Sequence, residues 1–521
     1  PTMADNRAVT SVLRAAGWTC IDTFDHSRTL GALVREGRRL TGDSVCAPLA
    51  AVYGDLVSAV EDFRRRRERG DPLVAGKRRL LYFDNQGDGP CRQGLYADVH
   101  QLLWHRSQAS NGAAREADGA PLGSGTVVQF LIARESDGFD IGLPQWALYR
   151  SYQSLVVQGL LQALQFAGGV HCRDRTEYER FCAAHRALKR DLYGALESFA
   201  GPGGPGRAAI AATDRIPMLG AAVKYAAYRL HGRDLARHLD RFARTWIRSR
   251  SLPPGHLRLH VSGEVYMRVA QAEDLFETLL RLAGFRRFEL TLAPLWSYLE
   301  YLPEYETERR LERAAGLRGT LARATESGER SATAAALREE CAAIGRLRRL
   351  GWALRHLLAR PLYRAAGLPL PPSPRRLLDE AREVLPTLRP HGELGLYAGE
   401  ALVELRAGVD VFFNVAPAGC MVAGMGDVLT PRLLQAVAPA RGRIQSLFSA
   451  DGEIDEEQLA LALLKARGPE DRRPPHRHGS LAPCARSLDG PCPRAASSGS
   501  ARSSLCVSAS SPDRASRWHS S

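Results

Sequence analysis

Apolar residues recur at helical spacing over 9–16 and then bunch over 18–24 in a run that reads as a strand. Helical spacing returns over 49–67, ending in the basic run Arg64, Arg65, Arg66 and Arg67, and 79–84 is the next strand candidate. The stretch 107–124 is polar and rich in small residues, a loop or insertion, before the β-branched run 126–133 restores strand character. The pattern is helical over 146–199. It must break at 201–206, Gly-Pro-Gly-Gly-Pro-Gly, because proline lacks the amide hydrogen and glycine costs helix entropy. Pro253, Pro254 and Gly255 introduce a strand over 257–261, a helix over 274–283 and a strand over 288–292, one βαβ unit. A helical region over 304–364 closes at the prolines of 369–374. Strand 409–415, helix 429–437, strand 444–448 and a helix from Asp455 follow.

Alternating strands and helices predict an α/β protein, with two or three Rossmann-like parallel-sheet subdomains, helical insertions and a disordered C-terminal tail. The expected division is a first α/β subdomain over 1–105, a loop or insertion over 106–125, and a strand with helical continuation over 126–200. A linker and Arg-rich helical segment take 201–252, a second α/β unit 253–300, a helical insertion 301–390 and the last α/β unit 391–467. Beyond 468, Pro, Ser, Arg, His and Cys replace periodic apolar residues, and such a segment cannot bury enough surface to offset its ordering entropy.

With 521 residues, 45% of them hydrophobic, the chain can bury a large core. No run of about 18 apolar residues and no signal-peptide pattern occurs, so a cytoplasmic protein without a membrane partner is expected. The net charge of +14 comes from Arg spread over most helical segments, with aromatics at only 7%. Solvated helix faces explain that charge better than nucleic-acid binding, for which a steep salt dependence would be the signature. Ten cysteines are too sparse for a disulfide scaffold in a chain this long. Scattered histidines without HxxxH or HxH spacing disfavour a zinc hydrolase.

Three of the cysteines stand apart. Cys46, Cys91 and Cys420 each sit in a short Gly/Pro-rich turn ahead of a helical pattern, and the last two follow strand-like runs. A thiolate near a helix N-terminus has its anionic form favoured by free amides and the helix dipole, so such a sulfur is suited to metal. A free cysteine packed at a sheet end is the plainer reading of each turn alone. Cys20, Cys172, Cys182 and Cys341 lack such turns and read as core or surface thiols.

The segments Gly87 to Tyr96 and Asn414 to Met421 are similar to the GPCRxGxY and NVxPxGCM signatures of the 2-hydroxyacyl-CoA dehydratase and CoA-activase superfamily. The segment Gly42 to Pro48 resembles that family's GxxCxP, Gly263 to Arg268 its GEIYVR, and Pro294 to Leu299 the apolar stretch that follows. Val422 and Gln93 differ from the proline and aromatic residue usual there. The resemblance implies a 4Fe-4S cluster held by Cys46, Cys91 and Cys420 with its fourth iron open, and amides of Gly89, Gly94 and Gly419 donating to its sulfurs. It implies one-electron chemistry on a CoA thioester, through a ketyl radical anion that expels a poor leaving group, or reduction of a related small molecule. Glu264 and Tyr96 are the catalytic candidates: Glu264 would orient substrate or cluster, or else cap the next helix or pair with Arg268. Tyr96, like Tyr266, would donate to a thioester oxygen or satisfy its hydroxyl locally. No GxxxxGK[ST] loop or actin-like phosphate loop occurs, so ATP is expected only through an activator partner or an N-terminal region missing before Pro1. The rival reading is a non-catalytic scaffold that keeps the fold without a working cluster.

Overall fold

A computed structural model describes residues 7–21, 30–42, 45–87, 91–110, 120–122, 126–134, 142–143, 145–198, 217–386, 392–439 and 442–466. The linker expected at 201–206, Gly89 and the tail from 468 lie outside these residues. Among the described residues seven strands form two sheets. In the first, β1 (Arg79–Gln86) runs parallel to β3 (Thr126–Arg134), and the short β2 (Ala120–Leu122) pairs antiparallel on the other side of β3. The second holds β4 (Leu257–Gly263), β5 (Phe288–Leu292), β6 (Val411–Pro417) and β7 (Arg443–Ser449) in the order β5-β4-β6-β7, all parallel.

The expected α/β class is therefore the observed one. The segments around 253–300 and 391–467, read as separate units, share one sheet through the β4–β6 ladder. Between them in sequence, the helices Trp296–Arg323 and Ser327–Ala353 form most of the expected insertion. Every residue of β6 is buried, as a central parallel strand covered on both faces requires. Alternate side chains enter different cores: Val411, Phe413 and Val415 join the principal one, whereas Phe412 joins Leu402, Tyr397 and Leu433 on the opposite face.

Two expectations need correction. Residues 18–21, the described part of the strand expected at 18–24, form no strand. Helix Arg7–Ala15 closes there instead: Gly17 N–H donates to Arg14 O at 2.9 Å and Trp18 N–H to Leu13 O at 3.0 Å, so the run begins inside a helix cap. The region read as a loop over 107–124 contains the end of helix Tyr96–Ser110 and strand β2. Three residues are too short for an alternation signal. Helix Leu30–Thr41, not expected from the sequence, packs on helix Ala47–Glu68.

Candidate functional site

Strand order in the four-stranded sheet reverses between β4 and β6, and in open parallel sheets ligands gather outside the carboxyl ends of the strands at such a point. At the end of β4, Gly263 has φ +108°, and a Cβ there would stand 2.3 Å from the Val415 carbonyl oxygen of β6. Only glycine permits this approach. Glu264 N–H then donates to the same carbonyl at 2.9 Å. The Glu264 carboxylate caps helix Val265–Ala270, accepting from the amides of Tyr266 at 2.9 Å and Met267 at 2.8 Å.

Beside it, β6 runs into the turn of Gly419, where φ is +76°, and Cys420 N–H donates to Pro417 O at 3.1 Å. Cys420 is the N-cap residue of helix Met421–Ala436. Cys46 occupies the same position before helix Ala47–Glu68. Cys91 caps the 3-10 turn Arg92–Leu95 that feeds helix Tyr96–Ser110, and its Sγ accepts from Gln93 N–H at 3.5 Å. All three cysteines thus stand at helical N-termini. Gly94 N–H donates to Cys91 O at 3.1 Å, so this amide already closes the turn.

These turns are linked pairwise. Cys46 Sγ lies 2.9 Å from the Tyr96 hydroxyl, deep among Leu49 and Val99. Burial raises Tyr96 well above the ordinary phenol range, and the charges of Cys46, Glu264 and Cys91 add to it. Burial likewise pushes Cys91 up to about 12, against the Gln93 amide and with the charges of Glu393, Glu264 and Cys420. Cys420 is raised to about 11 by burial, opposed by the nearby amides of Ala423 and Val422 and reinforced by Glu264 and Glu393. Cys46 thus meets Tyr96, Tyr96 lies within electrostatic reach of Cys91, and Cys91 within that of Cys420. Glu264 lies within electrostatic reach of Tyr96, Cys91 and Cys420.

Glu393 carries no sequence signal; it follows a glycine in an irregular segment. Its Oε1 accepts from Val265 N–H at 2.9 Å. Burial and the charge of Glu264 raise it to about 8, against Arg268 and the Val265 amide. Burial raises Glu264 as well, against its two capping amides and Arg268. Arg268 is itself buried and donates to Gly263 O at 3.4 Å. Two cavities of about 20 Å³, each the size of one water, flank it. In the wall of one of them Ser262 Oγ donates to Glu400 at 2.5 Å, and His260 Nε2 lies 3.5 Å from the other carboxylate oxygen. Burial pushes Glu400 up, but His260, Arg268 and Ser262 outweigh it and hold the carboxyl below its usual range.

Among the described residues no three His, Cys, Asp or Glu side chains are grouped to hold a metal ion. No helix among them is long and apolar enough to cross a membrane. Compared with known proteins, the chain matches no family model, no curated protein and no solved structure.

Proposed function

We propose that this chain is an iron-sulfur protein, holding a 4Fe-4S cluster through Cys46, Cys91 and Cys420 and taking part in one-electron reductive chemistry on acyl-CoA thioesters or related small molecules. What supports this reading is a chain of neighbours among three helix-capping cysteines: Cys46 meets Tyr96, and Tyr96, Cys91 and Cys420 each lie within electrostatic reach of Glu264, although the three thiols are not grouped as a ready metal site. Donor chemistry favours it as well. Burial holds Cys91 and Cys420 toward the thiol form, against the thiolate expected at a helix N-terminus, and a cation bound beside Glu264 and Glu393 would favour the thiolates instead.

When bound, such a cluster supplies single electrons and an open iron for a substrate oxygen or sulfur. The chain's own residues hold and orient it. The Tyr96 hydroxyl fixes Cys46 Sγ, the Gln93 amide donates to Cys91, and the Gly419 turn presents Cys420. Both oxygens of Glu264 are engaged by amides, which suits a positioning role at the strand end more than proton transfer. ATP enters this reading only through an activator partner or an ATPase region outside this sequence.

Iron and acid-labile sulfide analysis with electron paramagnetic resonance, after anaerobic reconstitution, tests it. The wild type should retain roughly four irons per chain and Cys91→Ala should lose most of them. Equal iron in both would refute the ligand assignment, and a folded, colourless wild type would favour the scaffold reading.

A further inference from the structure

Beneath the Cys46 turn lies a polar pair that no motif marks. Asp84 of β1 and His100 of helix Tyr96–Ser110 are both completely buried, with His100 Nδ1 2.6 Å from Asp84 Oδ2. The other ring nitrogen, Nε2, stands 3.2 Å from the carbonyl oxygen of Leu49. A carbonyl only accepts, so Nε2 carries a proton, and another lies between Nδ1 and the carboxylate. Asp84 Oδ1 accepts from Asn85 N–H at 2.9 Å. Both ring nitrogens and both carboxylate oxygens are therefore engaged. The imidazole also lies beside Tyr53 and Tyr96, with ring centroids 5.9 and 5.8 Å away.

Those contacts join three segments that the candidate site depends on. Asp84 belongs to the strand that leads into the Cys91 turn, Leu49 to the first turn of the helix that Cys46 caps, and His100 to the helix that begins at Tyr96. An apolar pair would fill the same space without desolvation cost, whereas a fully satisfied buried polar pair selects one geometry. Among the described residues no strand ladder adjoins the Cys46 turn to set that geometry.

We propose that His100 and Asp84 are positioning residues that lock the Cys46 turn onto the Cys91 strand through the Leu49 carbonyl, so that the Cys46 thiol is held in place before any cluster arrives. The purpose assigned to that turn rests on the iron-sulfur reading. The lock itself can be measured without iron.

The test is the alkylation rate of each cysteine in the full, metal-free, reduced chain, followed by mass spectrometry with the fully buried Cys172 as internal reference. In His100→Asn the shorter amide keeps its reach to Asp84 but loses Leu49; Cys46 should be alkylated on the order of five- to tenfold faster, with Cys172 unchanged. In His100→Gln the longer amide reaches the Leu49 carbonyl and should restore most of the protection. Asp84→Leu, which keeps the volume but removes the group that orients the ring, provides the same reading should His100→Asn not fold. An unchanged Cys46 rate in His100→Asn or its substitute overturns the proposal. So does a joint rise at Cys46 and Cys172 in every variant, because the pair would then support the whole core and not this turn. Iron uptake by the reconstituted wild type judges the cluster separately: a chain that takes up no iron yet shows the Cys46-selective effect loses the iron-sulfur reading and keeps the lock.

Discussion

The two sheets deliver their cysteines to the candidate site by different physical means. In the four-stranded sheet the backbone does it: the β4–β6 register pairs Ser262 with Asn414 and Gly263 with Val415, so the turns bearing Glu264 and Cys420 emerge side by side. In the three-stranded sheet the ladder fixes only the approach to Cys91. Among the described residues no strand precedes Cys46, which is held through Tyr96 and the contact of His100 with Leu49. Backbone ladders are cooperative and deeply buried, whereas side-chain contacts are individually worth about 1 kcal/mol. The first half of the site should therefore survive local substitutions that loosen the second.

The greatest expected contrast lies between the strands themselves. Phe413→Ala, in the fully buried β6, should cost about 3–5 kcal/mol, while Leu81→Ala, at a position 44% exposed on β1, should cost less than about 1 kcal/mol. Urea midpoints at constant m-value measure both; equal losses would break the comparison. Next comes Gly263→Ala, expected to lose roughly 3 kcal/mol because the new Cβ meets the Val415 backbone at a positive φ. A neutral result would mean that β4 and β6 do not approach as described.

Smaller effects probe the side-chain half. Tyr96→Phe removes the partner of Cys46 and should cost about 1 kcal/mol, with faster alkylation of Cys46 and not of Cys420. The last contrast is a slope against pH. Glu393, ordinarily near 4.5 and raised to about 8 in the fold, makes the folded metal-free chain bind more protons than the unfolded chain between those values. Its contribution to stability is full below about pH 4.5 and is lost as pH rises toward 8. Glu393→Gln should flatten that decline. If the variant declines as steeply as the wild type, another group is responsible.

Legibility in the sequence follows the same division. The strands at 257–261, 288–292, 409–415 and 444–448 fall on β4 to β7 because continuous apolar runs between turn residues are a local signal. The three capping turns were equally visible, since glycine and proline restrict the backbone wherever they stand. Glu393, His100 and Asp84 were not visible. Each is an ordinary polar residue until burial and partners supplied by distant segments give it a role.

The sequence by itself determined the α/β class, the strands of the parallel sheet and the placing of Cys46, Cys91 and Cys420 ahead of helices, because these depend on periodicity and backbone preference within a dozen residues. Only the tertiary structure decided that β4 pairs with β6 across a long helical insertion, that Trp18 closes a helix, and that two buried acids and a histidine–aspartate pair surround the thiols. Those outcomes depend on which surfaces exclude water together, and desolvation is a property of the assembled neighbourhood, which no local stretch of chain encodes alone.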